Sequence, residues 1–492
     1  MSIARYRAEW FGNVPRDLVS GVLVALALIP EAISFAVIVG VDPKIALYAS
    51  FSMAVVIAFA GGRPGMISAA TAAMAVLFIG LVRDHGLQYL FATTIAAGIF
   101  QVIFGILRID RLMVFISRSV MTGFVNALAI LIFMAQLPEL TNVPGLTYVL
   151  VAVGLAIIYL LPRVTTVIPS PLVSIVLITA AAMMLHVDVR RVGDMGELPS
   201  SLPSFLFPDI PFNLETLKII LPTALAAAVV GLVESLLTAS LLDEMTDTSS
   251  SKRRETVGQG IANIVTGFLG GMGGCAMIGQ STINTRAGGR GRLSTFTAGL
   301  VLLFLIVVLG DLVRQIPMAA LIAVMVMVSV STFKWASFNE LRTYPVTSSI
   351  VMIATVAVVV WTRNLAIGVL VGVLLSGVFF AWEVGKSIHV RLVPSTDDVH
   401  TYVASGQIFF ASAASFTAAF AFADVPEHVR IDITDAQFWD TTAVGALDAV
   451  VMKFRRLGAT VTVVGANDAS SRLIDRIGIH PQADTPVPEL GH

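Results

Sequence analysis

The sequence predicts a polytopic α-helical membrane protein with 14 helices, arranged as a 7+7 inverted repeat and followed by a small α/β domain. Charged residues make up only 13% of the 492 residues and apolar residues 56%, and the mean hydropathy is +0.88. Since a soluble domain has about 25% charged residues, so few charges cannot cover a water-facing surface of this length. The long apolar runs end near residue 390. Two short, glycine-rich segments at matching places indicate the repeat.

The first 390 residues accommodate about 14 spans, because a helix needs about 20 apolar residues to cross a bilayer. The predicted spans are 17–39, 44–60, 67–82, 88–107, 112–137, 146–161, 166–187, 216–241, 257–271, 278–287, 294–312, 317–333, 345–361 and 365–386. The apolar part of the first span is too long for a signal peptide and no A-x-A cleavage site follows it, so we expect it to be retained. We place the membrane domain at 1–390, with repeats at about 16–188 and 216–388, the α/β domain at 391–485, and a tail at 486–492.

The distribution of Lys and Arg predicts the orientation of the chain. With the N-terminus in the cytoplasm, 18 Lys and Arg fall on the inner side of the predicted spans and 7 on the outer side, and the remaining 6 lie beyond residue 400. Cytoplasmic loops carry the excess of these residues in membrane proteins. An even number of spans also leaves the C-terminal domain in the cytoplasm. We therefore expect a multi-pass membrane protein with both termini in the cytoplasm.

Two segments are too short and too rich in glycine for ordinary spans. The first runs from Gly61 to Ala73 and the second from Gly267 to Thr285, and each has an extended entry before a short helix with small polar residues. Unpaired backbone groups in lipid cost several kcal/mol each, so such breaks survive only where they line a cavity inside the protein. Broken helices at matching places in two halves indicate a transporter's substrate site.

The two halves match in order. Each begins with a span that has one buried carboxyl group, Glu31 or Glu234, and each places its short helix two spans later. In an inverted repeat the N-terminal ends of the two short helices face each other near the midplane, and each end offers about half a positive charge and free N–H groups. This arrangement predicts a small anion as substrate. The alternative is that the glycines serve only close helix packing.

The buried carboxyl groups are candidates for substrate binding and for ion coupling. Glu31 shares a helix face with Phe35, and Glu234 shares one with Thr238. An ionisable residue in mid-span faces the bundle interior and is by default functional. Since burial disfavours a charged carboxylate, Glu234 is a candidate proton carrier. The alternative is structural: a protonated carboxyl that joins two helices, or, for Glu31, one that satisfies backbone groups freed by Pro30.

The composition and the spacing of cysteine, histidine and glycine exclude several other classes of protein. The single cysteine, Cys275, excludes a disulfide framework and a cysteine-based metal site, and the seven histidines lack HxxH or HExxH spacing. A net charge of −1 gives no nucleic-acid signature. The glycine-rich run lacks the GxGxxG spacing of a dinucleotide site. The sequence therefore predicts no metal, no cofactor, no nucleic-acid partner and no enzyme.

Beyond residue 390, strands alternate with helices, which indicates an α/β domain. We predict strands at 399–412, 429–433 and 460–464, and helices at 413–422, 441–457 and 470–477. The domain has no catalytic cluster.

These features together resemble the SulP (sulfate permease) family, bacterial relatives of the animal solute-carrier-26 anion transporters. The segment 28–32 is similar to the family's LIPQA motif, with Glu31 where Gln is usual, and 258–263 with the glycine-rich run is similar to the stretch that enters the family's tenth helix. Segments 169–172 and 317–321 also resemble the family. The tail resembles a STAS domain, because 431–434 and 439–442 are similar to its D-x-S and D-S-S-G signature.

The resemblance implies 14 helices in core and gate subdomains, an elevator-like cycle, homodimers, and an anion between the third and tenth helices. It places Ser68, Ala69, Ala70 and Thr71 on one side of the site and Gly279, Gln280 and Ser281 on the other. Because Glu31 and Phe35 share one face of the first span, we add them as substrate-binding residues. Many members have Ser-Arg-Ser where this chain has Gly279–Ser281, so this site lacks a fixed side-chain cation. From the buried carboxyl group and the helix face that it shares with Thr238, we predict Glu234 and Thr238 as the coupling-ion residues. The resemblance to bacterial members of the family also implies a location in the bacterial inner membrane.

The predicted function is therefore secondary active transport of a small anion of the sulfate, bicarbonate or dicarboxylate class, coupled to protons. Two transport alternatives remain open. One is a nucleobase-type proton symporter of the same architecture, which would use Glu234 to hydrogen-bond a neutral base. The other is a Na⁺-coupled bicarbonate transporter, since some bicarbonate-transporting relatives couple to Na⁺ through an Asp where Glu234 stands. A membrane-anchored signalling protein with a STAS effector would not need two broken helices.

Overall fold

The structure, a computed structural model, describes residues 3–109, 111, 116–165, 169–393, 399–423 and 425–479. It divides into two compact units, Met1–Val373 and Leu374–His492. The first unit is helical, and the second contains a four-stranded sheet with helices. The predicted fold class, a polytopic helical membrane protein with a small α/β domain, is confirmed.

The first repeat contains seven long or half-length helices after a short N-terminal one. They are α1 (Ile3–Phe11), α2 (Val14–Val39), α3 (Pro43–Ala60), α4 (Ala72–His85), α5 (Leu87–Ile106), α6 (Arg118–Gln136), α7 (Gly145–Leu160) and α8 (Ser170–Met184). The second repeat has the same order with one short addition, α14. Its helices are α9 (Leu214–Thr246), α10 (Lys252–Phe268), α11 (Ile278–Arg286), α12 (Arg292–Arg314), α13 (Met318–Thr332), α14 (Ser337–Thr343), α15 (Val346–Thr362) and α16 (Leu365–Gly385). In the described part of the chain, nine helical segments are long and apolar enough to cross a membrane.

Most predicted span limits agree with the helices within a few residues, and local capping explains the larger differences. Helix α9 runs five residues past the predicted end at 241, and it stops where Asp247 adopts a left-handed conformation with φ of 51°. Helix α10 begins at Lys252, five residues before the predicted start, because the Ser251 hydroxyl accepts a hydrogen bond from the Arg254 N–H group. Residues 112–115 and 166–168 of two predicted spans lie outside the described residues.

The two predicted breaks form a pair of short strands. Strand β1 (Ser68–Ala70) precedes α4, strand β2 (Gly274–Ala276) precedes α11, and the two pair in antiparallel register with Ala69 opposite Cys275. A Cβ atom on Gly274 would lie 2.3 Å from the Ala69 carbonyl oxygen, so only glycine permits this approach. Each break thus supplies hydrogen-bond partners for the other inside the bilayer, where unpaired backbone groups are costly.

The helices of the first unit pack in two groups. The core group contains α2–α5 and α9–α12, and the gate group contains α6–α8, α13 and α15. Helix α16 begins in the first unit, where Gly372 packs against Thr355 of α15 and Val120 of α6. Both half-helices, α4 and α11, and both strands belong to the core group. The predicted core and gate arrangement of the fold is therefore present.

The second unit has a sheet in the order β3-β4-β5-β6. The strands are β3 (His389–Val393), β4 (Val399–Ile408), β5 (His428–Phe438) and β6 (Thr460–Val464), and the helices are α17 (Ala413–Ala418), α18 (Thr441–Arg456) and α19 (Asp468–Ile477). Strand β3 is antiparallel to β4, and the other pairs are parallel. The predicted strands and helices are present with shifted ends, whereas β3 was not predicted, because its five residues follow directly on the last apolar helix.

Two acidic residues of the signature segments have local structural roles in this unit. The Asp440 carboxylate caps α18 by accepting a hydrogen bond of 2.8 Å from the Ala443 N–H group. Two hydrogen bonds from Thr434 hold the pKa of Asp432 below its usual value. The unit has its own hydrophobic core, in which Phe416, Ile431 and Leu447 are fully buried.

Candidate functional site

A cavity of about 210 Å³ lies between the core group and the gate group. The core wall combines two carboxyl groups with the start of each half-helix. Its main residues are Glu31, Phe35, Thr71, Glu234, Gly279 and Gln280. The gate wall is largely apolar, with Phe124 and Leu128 on α6 and Met327 on α13. The cavity therefore offers polar groups on one side and an apolar surface on the other.

The N-terminal ends of both half-helices open onto this cavity. The first N–H groups of a helix have no partner within the helix, and the aligned peptide dipoles give the end a partial positive charge. At α4, Thr71 caps the end, since its hydroxyl oxygen accepts a hydrogen bond from the Met74 N–H group. At α11, Met277 supplies no side-chain cap, and a Cβ atom on Gly279 would have no neighbour within 4 Å. The α11 end is therefore open toward the cavity.

The two carboxyl groups differ in their partners. Glu234 is 8% exposed, and its Oε2 atom lies 2.9 Å from the Cys275 Sγ atom, which donates a hydrogen bond. Glu31 is half-buried, and its carboxyl group lies beside the side chain of Gln280, which also lines the cavity. Among the described residues that line the cavity there is no Lys or Arg. Attraction for an anion therefore comes from the helix ends, and an ionised carboxylate opposes it.

Five of the predicted site residues lie behind the cavity wall. Three of them are polar, and each hydroxyl group is already hydrogen-bonded within the protein. The Ser68 hydroxyl accepts a hydrogen bond of 2.7 Å from the Gln259 side chain, and the Ser281 hydroxyl accepts one of 3.0 Å from the Ile67 N–H group. The Thr238 hydroxyl donates a hydrogen bond of 2.8 Å to the Glu234 carbonyl oxygen. Ala69 and Ala70 lie in the paired strand β1. These residues hold the strands and half-helices in place, whereas Glu31, Phe35, Thr71, Gly279, Gln280 and Glu234 converge on the cavity.

Sequence reasoning missed two parts of the site. The gate wall was missed because apolar residues such as Phe124 and Met327 do not differ in pattern from lipid-facing ones. As a single cysteine, Cys275 excludes disulfides in the sequence, yet in the structure it is fully buried and joins Glu234 to Thr71 by hydrogen bonds. Its place in the extended entry to α11, two spans after Glu234, was the available signal.

Comparison with known families divides the chain in two. The model of the sulfate permease family matches residues 15–151 and 141–357, and the model of the STAS domain matches residues 391–486. The chain is 58% identical over 473 residues to the putative sulfate transporter YbaR of Bacillus subtilis, and the match covers 96% of this chain and 98% of that protein.

Solved structures that are similar to the chain include those of two transporters. The transmembrane domain of a cyanobacterium bicarbonate transporter, BicA, has a TM-score of 0.64 and 26% identity, and the match covers 74% of this chain and 98% of that one. The murine Slc26a9 anion transporter in the inward-facing state has a TM-score of 0.83 over 97% of this chain and 89% of that one. At 16% identity, the second match shows the fold alone.

Proposed function

Because the chain belongs to the sulfate permease family, we propose that it is a proton-coupled secondary active transporter of a small anion. The observation that carries this proposal is the single cavity onto which both half-helix ends and two carboxyl groups open. The substrate class is sulfate, bicarbonate or a dicarboxylate, since relatives bear the names of sulfate and bicarbonate transporters. The same architecture supports transport rather than catalysis.

The helix ends and the small residues around them favour a small anion. Free N–H groups at the starts of α4 and α11 are suited to oxyanions, and Gly279 leaves room for close approach. The absence of a lysine or arginine from the described lining favours weak, reversible binding, which a transporter needs in order to release its substrate.

Proton coupling follows from the charge balance of the cavity. Two negative charges about 4 Å apart repel by roughly 4 kcal/mol at an effective dielectric constant of 20. A proton on Glu234 removes most of this cost, so the proton and the anion enter together. Glu31 lies beside Gln280 at the start of α11, and we assign it to substrate binding rather than to coupling.

An elevator-like cycle is supported by the location of the cavity. All polar lining residues except Ser331 and Thr332 belong to the core group, and the gate wall is mainly apolar. Movement of the core group past this smooth surface would carry the anion and the proton from one side of the membrane to the other. We place the protein in the inner membrane of a bacterium, with both termini in the cytoplasm, and propose that it is a homodimer.

Uptake into proteoliposomes tests the proposal. Radiolabelled sulfate, bicarbonate, succinate and uracil are assayed in parallel, each with an inward proton gradient, with an inward Na⁺ gradient, and with neither. We expect accumulation of one of the three anions that depends on the proton gradient and is unaffected by Na⁺. Accumulation of uracil, or accumulation of bicarbonate that depends on Na⁺ alone, would contradict the proposal.

A further inference from the structure

We infer that Cys275 is a positioning residue that links the protonation state of Glu234 to the direction in which the Thr71 hydroxyl group donates. This inference rests on the proton-coupled function proposed above. Glu234 and Thr71 both line the cavity, whereas Cys275 lies behind its wall on strand β2.

The three side chains form a continuous hydrogen-bonded chain. The Cys275 Sγ atom lies 2.9 Å from Glu234 Oε2 and 3.1 Å from Thr71 Oγ1. All three residues are at most 8% exposed. Thr71 is also the N-cap of α4 and accepts a hydrogen bond from the Met74 N–H group at 3.4 Å. These hydrogen bonds therefore connect Glu234, the proposed proton carrier, to one of the two helix ends that face the anion.

When Glu234 is ionised, the hydrogens of this chain have one consistent arrangement. A carboxylate can only accept, so the Cys275 thiol donates its single hydrogen to Glu234. The sulfur atom then accepts the hydrogen of the Thr71 hydroxyl, whose oxygen caps α4. The single hydrogen of Thr71 is thus held inside the wall and is not available to an anion in the cavity.

A proton on Glu234 reverses this arrangement. The protonated carboxyl donates to the Cys275 sulfur, the thiol turns and donates its hydrogen to the Thr71 oxygen, and the Thr71 hydroxyl is free to donate into the cavity. No covalent bond changes other than the O–H bond that forms on Glu234, and the thiol keeps its hydrogen. Protonation therefore removes a repelling charge and adds a donor for the anion at the same time.

Variants that keep or remove the hydrogen bonds of Cys275 test this inference in the full-length protein. In Cys275→Ala the Thr71 hydroxyl is released whatever the state of Glu234, whereas Cys275→Ser keeps one donor and two acceptors. One hydrogen bond changes an equilibrium about fivefold. We therefore expect the ratio of half-saturation concentrations at pH 8 and pH 6, for uptake of labelled sulfate, bicarbonate or succinate, to fall about fivefold in Cys275→Ala and to stay near the wild-type value in Cys275→Ser.

Thr71→Val separates this role from simple packing of β2. In that background the hydroxyl group that accepts the hydrogen bond from Cys275 is missing, so Cys275→Ala should leave the ratio of half-saturation concentrations unchanged. A folded Cys275→Ala protein with the wild-type pH ratio, or one whose ratio falls equally with and without Thr71, would overturn the inference. Failure of the proposed function has a different signature, since wild-type uptake itself would then be independent of pH and of the proton gradient.

The segment that joins the two repeats carries a second inference, which is independent of transport. We propose that residues 202–214 insert into the headgroup interface of the membrane's outer leaflet, on the side opposite the cytoplasm, and bind phospholipid acyl chains there. Five large apolar side chains of this segment are between 64% and 97% exposed: Leu202, Phe205, Phe207, Phe212 and Leu214. Asp209 is its single charged residue.

The backbone of this segment is suited to an apolar environment although it is not helical before Leu214. Pro203, Pro208 and Pro211 have no N–H group to satisfy. The Leu206 N–H group donates to the Phe268 carbonyl at 2.8 Å, and the Asp209 N–H group donates to the Gln88 side chain at 2.9 Å. The cost of placing irregular backbone near lipid is thereby reduced.

A groove of about 560 Å³ between this segment and helices α5 and α9 supplies the binding surface. Its wall continues into exposed residues of the two helices, Ile99 on α5 and Leu217 and Leu221 on α9. The apolar surface of the segment is therefore continuous with helix faces that a bilayer covers, and this continuity favours acyl chains over a protein partner.

A spin label on Phe212→Cys tests this insertion. The labelling is specific because the native Cys275 is fully buried. In vesicles of phosphatidylethanolamine and phosphatidylglycerol we expect the label to collide with oxygen and to be shielded from an aqueous nickel chelate, whereas a label on Asp188→Cys, an exposed residue earlier in the same connection, should show the reverse. Accessibility of the Phe212→Cys label to the chelate would overturn the proposal, as would dipolar broadening between labels of two copies.

Discussion

The two half-helices occupy equivalent places in the repeats, but their N-terminal ends differ in chemistry. The α4 end is capped by Thr71, whose hydroxyl is hydrogen-bonded to Cys275 and through it to Glu234. The α11 end has no side-chain cap and faces open space at Gly279. The symmetric fold thus provides one end that is linked to the proposed proton carrier and another that is free for substrate.

The largest expected effect comes from filling the open end. In Gly279→Val the new side chain would project into the cavity, because a Cβ atom there meets no protein atom within 4 Å. We expect uptake to fall by roughly a hundredfold, equivalent to the ~3 kcal/mol upper range of overpacking. Proteoliposome uptake at fixed substrate concentration measures it, and Gly279→Ala should have a smaller effect.

Gly80→Val is the matched control for this prediction. Gly80 lies in α4 and is exposed, and a Cβ atom on this residue would also have no neighbour within 4 Å. The control should transport normally, and gel filtration should show both variants folded. Normal uptake by folded Gly279→Val would mean that the anion does not approach the α11 end.

A smaller effect on transport is expected from substitution of Ser281, which lies behind the cavity wall. Its hydroxyl accepts a hydrogen bond from the Ile67 N–H group and so ties α11 to the entry of β1. Ser281→Ala should lower the free energy of unfolding by about 1 kcal/mol, the usual net value of one hydrogen bond, and because the hydroxyl lies behind the cavity wall, anion binding should weaken by no more than about fivefold. Isothermal titration with the transported anion measures this loss. Complete loss of binding in Ser281→Ala, together with binding by Gly279→Val, would show that side-chain hydroxyls rather than helix ends hold the anion.

The smallest effect on the site is expected from removal of the STAS domain. Every residue that lines the cavity lies before residue 333, and the sheet unit has its own hydrophobic core. A protein truncated after residue 395 should remain folded in mild detergent and should bind the anion, with lower activity or weaker regulation at most. Aggregation of the truncated protein with total loss of binding would contradict this expectation.

The two helix ends also show which structural features can be predicted from the sequence and which cannot. Glycine-rich breaks at matching places predicted two half-helices with extended entries, because backbone in lipid needs partners. The pairing of β1 with β2 was not predicted, since three-residue strands have no periodic signal. The sequence also does not determine the direction in which a short polar side chain points. We predicted Ser281 and Thr238 at the site, but their hydroxyl groups form hydrogen bonds with the backbone instead.

The carboxyl groups were the most informative residues of the sequence. Glu31 and Glu234 stood out because a charged residue in mid-span is costly, and both line the cavity. The apolar gate wall and the thiol of Cys275 gave no comparable signal, because Phe, Leu, Met and a buried Cys are ordinary residues of a packed helical interior.

Transport by Glu234→Gln tests the central claim most directly, with Glu31→Gln as the matched variant. Glutamine keeps the size and a hydrogen-bond donor of the protonated carboxyl but cannot carry a proton. Glu234→Gln should retain exchange of labelled for unlabelled anion across proteoliposomes at equal pH, and it should lose accumulation driven by an inward proton gradient. Glu31→Gln should keep its response to the gradient, because Glu31 is assigned to substrate binding rather than to coupling. Full gradient-driven accumulation by Glu234→Gln would contradict the account.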